Sequence, residues 1–182
     1  MRKLSILSYI FAGLMLSSCD GYLKEDTRDQ LYPEDAYDTP QNVYLNTVAS
    51  LYNNIGGYSD SQGLQGTYRG VCDLNTFTTD EAMLPTRGGD WYDGGFWQGL
   101  FLHKWGTNSD AIQATWEYLY KVIVLSNQSL EILGELRQKT DYNDLDLYEA
   151  EVRALRAMYY YYLVDMFGRV PLIESSSIPV KD

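Results

Sequence analysis

Two cysteines, Cys19 and Cys72, and a single histidine, His103, are all that this 182-residue chain has of either residue. So few cysteines exclude a disulfide-rich scaffold, and with Cys19 acylated no internal disulfide or paired-cysteine metal site can form. No nucleophile motif surrounds His103, which reads as structural rather than catalytic. Basic residues are also scarce, 14 Lys and Arg against 25 Asp and Glu, for a net charge of −11. They are scattered and form no stripe, so the footprint of a nucleic-acid binder is absent. The apolar run Leu4–Leu16 covers thirteen residues, too short to span a bilayer as a helix. What remains, 45% hydrophobic and 21% charged, suits one globular domain. Tyrosine is abundant, 17 of 26 aromatic residues. That bias fits a half-wet binding surface or a Tyr-rich helical core.

The N-terminus reads as a leader. Arg2 and Lys3 precede the apolar run, which ends in Leu16-Ser17-Ser18-Cys19. Leucine, two small residues and a cysteine form a lipobox, in which the small side chains admit a signal peptidase and the sulfur receives a diacylglyceryl group. The alternative is an ordinary secretory cleavage beside an incidental cysteine. Cleavage before Cys19 leaves 164 residues and, with Arg2 and Lys3 gone, a charge of −13. Each buried acyl CH₂ contributes about 0.8 kcal/mol, and two chains anchor stably where one does not. Anionic head groups repel so acidic a body, so lipid on Cys19 has to hold it.

The expected organisation is a signal peptide over 1–18, a lipidated tether or strap over 19–38 and a helical region over 39–182. Thr39-Pro40 forms a helix start, Tyr44, Val48, Leu51 and Ile55 follow at helical spacing, and Gly56-Gly57 ends it. Residues 58–108 hold most of the glycines and no sustained period, with short helical turns around Phe96 to Leu102. A loop this long is unusual unless it is functional. A second helix opens near Asn108 or Ser109 and carries Ile112, Trp116, Leu119, Ile123, Leu130 and Leu133 on one stripe. Asn127 falls on the same stripe, which predicts a buried amide bonded to backbone. A third helix begins near Asp144 to Asp146 and ends at Gly168, with Pro171 beyond. Asp141, Asp144 and Asp146 gather at its start as capping residues, because the sequence lacks the spacing and glycine of a calcium loop.

The third helix contains "MYYYYLVDMFG", residues 158–168. Consecutive helical residues point about 100° apart, so four tyrosines put aromatic surface nearly all round. Tyr148, Val152, Leu155, Tyr159 and Tyr162 line one face, and Ala150, Ala154, Ala157 and Tyr161 another. This predicts an interior helix with neighbours on both sides, more than two other helices can supply. Residues beyond Asp182 are expected to provide the rest.

"EVRALRAMYYYYLVDMFGRVPLI" resembles the signature helix of the SusD/RagB family of outer-membrane nutrient-binding lipoproteins. Ala150, Arg153, Arg156, Ala157, Phe167, Gly168, Val170, Pro171 and Leu172 carry the match. "WEYLYKVIVLSNQSLEIL" resembles the preceding family helix, with Trp116, Tyr120, Ile123 and Asn127 in place. "TTDEAMLPTRGGDWYDGGFW" resembles a loop of one branch of that family. The resemblance implies an all-α fold of tetratricopeptide-like helix pairs with long ligand-face loops, here as an incomplete chain. It implies oligosaccharide ligands, a SusC-like TonB-dependent barrel as partner, the outer membrane facing the exterior as location, and neither enzymatic activity nor a cofactor. Two departures stand out. The helices are longer than a 34-residue helix-pair repeat permits, and the tetratricopeptide pattern keeps only Trp116 and Leu119.

A sugar offers C–H faces that stack on aromatic rings, and hydroxyls that bond to Asp, Asn, Gln or Arg. Trp91, Tyr92, Phe96, Trp97 and Trp105, mixed with Arg87, Asp90 and Asp93, supply both needs. The same rings could instead pack down to organise a loop with no core of its own, with Asp90 and Asp93 capping backbone N–H groups. Trp91, Tyr92 and Trp97 are the candidate exposed stacking residues, and Asp90 and Arg87 the candidate polar contacts. Two other readings remain beside glycan capture. One is a docking role without ligand contacts, and the other is a glycoside hydrolase using a carboxylate pair such as Asp90 with Asp80 or Glu81.

Overall fold

The computed structural model describes residues 35–56, 63–64 and 70–177. The chain divides into two units, Met1–Asp35 and Ala36–Asp182. The leader, Cys19 and most of the tether lie outside the described residues, so the architecture below is that of the second unit. Every regular element among those residues is helical, and β structure is limited to one isolated bridge between Arg87 and Asp90.

Helix α1 starts where Thr39-Pro40 predicts. The Thr39 side chain accepts a hydrogen bond from the Asn42 N–H at 3.2 Å, and Pro40, which has no N–H to leave unpaired, takes the first position. The helix runs through Pro40–Tyr44, a π-helical segment Leu45–Ala49, and Ser50–Gly56. No sequence signal marks the π segment, which is one residue per turn wider than an α-helix. Its Thr47 carbonyl accepts a hydrogen bond from Ser129 at 2.9 Å.

Helices α4 (Asp110–Lys139) and α5 (Leu145–Phe167) form an antiparallel pair. The start of one faces the end of the other: Trp116 meets Phe167, Tyr118 meets Tyr159, Asn127 meets Arg156, and Arg137 meets Asp146 and Glu149. Helix α1 lies against both, through Ser129, Tyr118 and the Tyr44–Tyr148 ring pair.

On α4 the deepest positions are not the expected apolar stripe alone. Leu119, Ile123 and Leu133 are buried as predicted, whereas Ile112, Trp116 and Leu130 are half-buried. Thr115, Ser126 and Ser129 occupy the seam beside Ala111 and Val122. Small hydroxyl residues fit there because each finds a carbonyl acceptor, Ser129 in Thr47 of α1. Thr115 and Ser126 donate to the carbonyls of Ala111 and Val122, both at 2.8 Å, so their burial leaves no unpaired group.

On α5 Tyr148, Val152, Leu155, Tyr159 and Leu163 face the core. The second face, expected to be covered, is open among the described residues. Ala150, Ala154 and Ala157 are exposed, flanked by Leu147, Tyr161 and Val164. The four tyrosines therefore differ. Tyr159 is fully buried and its hydroxyl lies 3.0 Å from that of Tyr118, which also bonds the Asn54 carbonyl. Tyr160 donates to the Ile173 carbonyl and accepts from the Ile173 N–H, at 3.0 and 2.7 Å. Tyr162 is half-buried against the core and Tyr161 is 65% exposed. Burying a large apolar side chain contributes roughly 1.5–3 kcal/mol. Exposed ion pairs such as Arg153–Glu149 contribute about 0–1 kcal/mol each, so packing decides the arrangement.

The acidic start of α5 works through charge and not through capping hydrogen bonds. Asp144 makes no side-chain cap bond, and Asp146 pairs with Arg137. At the other end Gly168 has φ 75° and ψ −116°, a conformation only glycine adopts readily, and it turns the chain back. The returning segment is tied down at three points. Tyr120 donates to the Pro171 carbonyl at 2.8 Å, and Tyr160 brackets Ile173. Asn127, 1% exposed, donates to the Ile173 and Ser175 carbonyls at 3.0 and 3.2 Å and accepts from Arg156 at 2.6 Å. The predicted buried amide is thus present, with Arg156 as an added partner.

A smaller core organises the region between α1 and α4. Helices α2 (Val71–Phe77), which no periodicity foretells, and α3 (Phe96–Phe101) close around Leu74, Trp97, Leu100 and Ala111. Ile112 and Met166 pack against this cluster. They seat the loop region on the end of the α4–α5 pair.

Candidate functional site

The segment between α2 and α4 carries every non-glycine residue with positive φ among those described: Trp91 at 59°, Asp93 at 45° and His103 at 55°. Left-handed backbone costs a side-chain-bearing residue on the order of 1–3 kcal/mol and persists where surrounding bonds enforce it. Here Arg87 and Asp90 exchange backbone hydrogen bonds at 3.1 and 3.0 Å, and the Gly95 N–H donates to the Tyr92 carbonyl at 2.7 Å. Gly94 and Gly95, at φ 65° and 84°, complete the turn into α3. Trp91 and Tyr92 are displayed on this turn, 60% and 53% exposed, with Arg87 and Asp90 exposed beside them. Asp90 closes the turn through its backbone and not, as anticipated, through a side-chain cap.

Trp97 does not join them. It is 5% exposed, with Phe77 and Phe96 edge-on at 5.1 and 4.9 Å. The correction has a simple cause. Trp97 falls inside α3, whose inner face must be covered, whereas Trp91 and Tyr92 lie on the turn before it. Trp97 therefore anchors the segment and offers no stacking face. Trp97 packs down as the second reading expects, and Trp91 and Tyr92 stay exposed.

His103 is a clamp. Its Nε2 lies 2.7 Å from the Thr78 carbonyl, which can only accept, so the ring proton sits on Nε2. The ring also meets Trp105 edge-on at 5.4 Å. Trp105 is thereby held over a hollow of about 330 Å³ that Asn75, Thr78, Ile112 and Asp165 also line. Trp105 also lines a second hollow, about 410 Å³, with Gly99, Lys104 and Asn108. The side chains of Asn75 and Asp165 make no hydrogen bond or ion pair among the described residues. Sequence reasoning placed Trp105 in the aromatic group but missed Asn75 and Asp165. They lie ninety positions apart, on α2 and α5, and only tertiary packing joins them. A third hollow, about 510 Å³ and mostly apolar, runs along α4 by Trp116, Tyr120 and Ile173.

A helical body with its loops gathered at one end of a helix pair is consistent with the resemblance. The family model for SusD-like proteins, described as "Starch-binding associating with outer membrane", matches residues 62–181. The chain belongs to this SusD-like family. It is also 25% identical over 175 residues to a protein of Formosa agariphila named SusD-like protein P25. That similarity covers 94% of this chain and 31% of the relative, so the chain spans about a third of the relative's length. No solved structure matches it.

Proposed function

We propose that this chain is part of a lipid-anchored protein that captures oligosaccharides at the outer membrane and delivers them to a SusC-like TonB-dependent barrel. The observation that carries the reading is the family match, described as starch-binding, over the stretch that displays Trp91 and Tyr92. Stacking on these rings, with hydrogen bonds from Arg87 and Asp90, is the recognition chemistry a sugar needs. A strained, cross-braced turn holds the backbone that carries the rings, which lowers the ordering cost of binding. No helix among the described residues is long and apolar enough to cross a membrane. Acyl chains on Cys19 are the proposed anchor, because a body of charge −13 after cleavage is repelled by anionic head groups. Binding is favoured over hydrolysis because the matching family is described as starch-binding.

Replacing Trp91 and Tyr92 together by Ala in the whole protein should weaken oligosaccharide binding about tenfold or more in calorimetry, with the circular dichroism spectrum unchanged. Both side chains are exposed, so folding should survive. Unchanged affinity across a panel of neutral and acidic glycans would leave these residues only a docking role. Mass spectrometry of the processed protein should find Cys19 acylated.

A further inference from the structure

The two hollows that Trp105 lines also share Leu100. The first presents an indole, the Asn75 amide, the Thr78 hydroxyl and the Asp165 carboxylate around an apolar floor that includes Ile112. Thr78 spends its proton on the Leu74 carbonyl at 2.6 Å, which leaves its oxygen as an acceptor. Asn75 offers two donors and an acceptor, and Asp165 accepts only. One aromatic face with donors and acceptors at its edge matches a sugar ring and its hydroxyls. At about 330 Å³ the space lies at the lower end of small-ligand sites. The second hollow differs in character, walled by glycines and Lys104.

We propose that Trp105 is the central platform of a second glycan site, separate from the Trp91–Tyr92 turn. One uncharged sugar unit lies in the hollow of Asn75 and Asp165, and the next unit of the chain lies in the hollow of Lys104 and Asn108. This inference rests on the glycan-capturing reading above and adds both a location and a specificity. A carboxylate or sulfate on the first sugar would meet the exposed Asp165 carboxylate at close range, where like charges repel although solvent screens them in part. The site therefore selects neutral glycans. Asp165 supplies discrimination and Trp105 supplies affinity.

The rigid setting supports the assignment. His103, itself in left-handed backbone, is pinned to Thr78 and braces the Trp105 ring edge-on, so one clamp fixes both an aromatic platform and its polar neighbour. Asn75 and Asp165 have no competing partner within the described residues, and a ligand's hydroxyls would find both groups available.

The test uses the whole protein with maltoheptaose as the neutral probe and a galacturonic acid heptamer as the anionic one. Calorimetry should resolve two maltoheptaose sites, one of which Trp105→Ala weakens by tenfold or more and Asn75→Ala by several-fold, while the Trp91–Tyr92 site keeps its affinity. Asn75 is exposed and unbonded, so that variant keeps the fold if the tryptophan variant does not. The emission change on adding maltoheptaose should shrink in Trp105→Phe. The wild type should prefer maltoheptaose at least tenfold, and Asp165→Asn should narrow that preference. If maltoheptaose binds the wild type and the Trp105 and Asn75 variants equally, the second site is disproved while glycan capture stands. A preference unchanged by Asp165→Asn overturns the assigned selectivity. If the wild type binds neither probe nor any other glycan, the glycan-capturing reading fails, and this site with it.

Discussion

Burial raises the Tyr159 phenol well above its ordinary pKa of 10.0, and its bond to Tyr118 adds to the shift. Burial also raises Tyr118, against the opposing effect of its hydrogen bonds. The sign for stability follows. Below pH 10 both phenols are neutral in the folded and unfolded chains. Above it the unfolded chain releases protons that the folded chain keeps, so stability falls as pH rises. Tyr159→Phe should cost about 1 kcal/mol at pH 7, since Tyr118 loses one partner but retains the Asn54 carbonyl. The gap between wild type and variant should close at pH 10.5 in urea denaturation, because the variant lacks that titrating group. An equal gap at both pH values would mean that Tyr159 is not held neutral. Residue-level reading from sequence succeeded where a polar side chain sat on an apolar stripe, as Asn127 does. It failed for Trp97, because an aromatic residue beside exposed neighbours has no local mark of its own burial.

At the scale of elements, the boundaries written in backbone chemistry were legible. Thr39-Pro40 opens α1 and Gly168 closes α5, each for a conformational reason that belongs to the residue itself. Helix α2 was not, since seven residues give too little periodicity to read. The α5 terminus offers a direct check. Gly168→Ala should destabilise the protein by about 1–3 kcal/mol, because a β-carbon disfavours φ 75°. The damage should reach further than the helix end, because Tyr120, Tyr160 and Asn127 all hold the segment that Gly168 redirects. Hydrogen exchange at the Ile173 amide, bonded to the Tyr160 hydroxyl, should accelerate in the variant. Unaltered protection there would show that those three side chains, and not the turn, position the segment.

For the whole molecule, the open face of α5 matters most. Leu147, Ala150, Ala154, Ala157, Tyr161 and Val164 recur three and four residues apart, the spacing of a helix-packing seam, and all are exposed. Alanines at its centre would let another helix approach closely. Residues 19–182 made alone should therefore self-associate, and Ala154→Glu should shift the product toward monomer in light scattering without loss of helicity. A monodisperse wild-type product at high concentration would count against that seam. Sequence by itself determined the helical class, the main helix ends, the acidic surface and the family, because these follow from periodicity, backbone preference and composition, which are local or additive. Tertiary structure alone decided which of four tyrosines is buried, that Trp97 is an anchor while Trp91 is displayed, and that Asn75 and Asp165 meet beside Trp105. Those outcomes depend on which elements pack together, and no spacing along one chain records that.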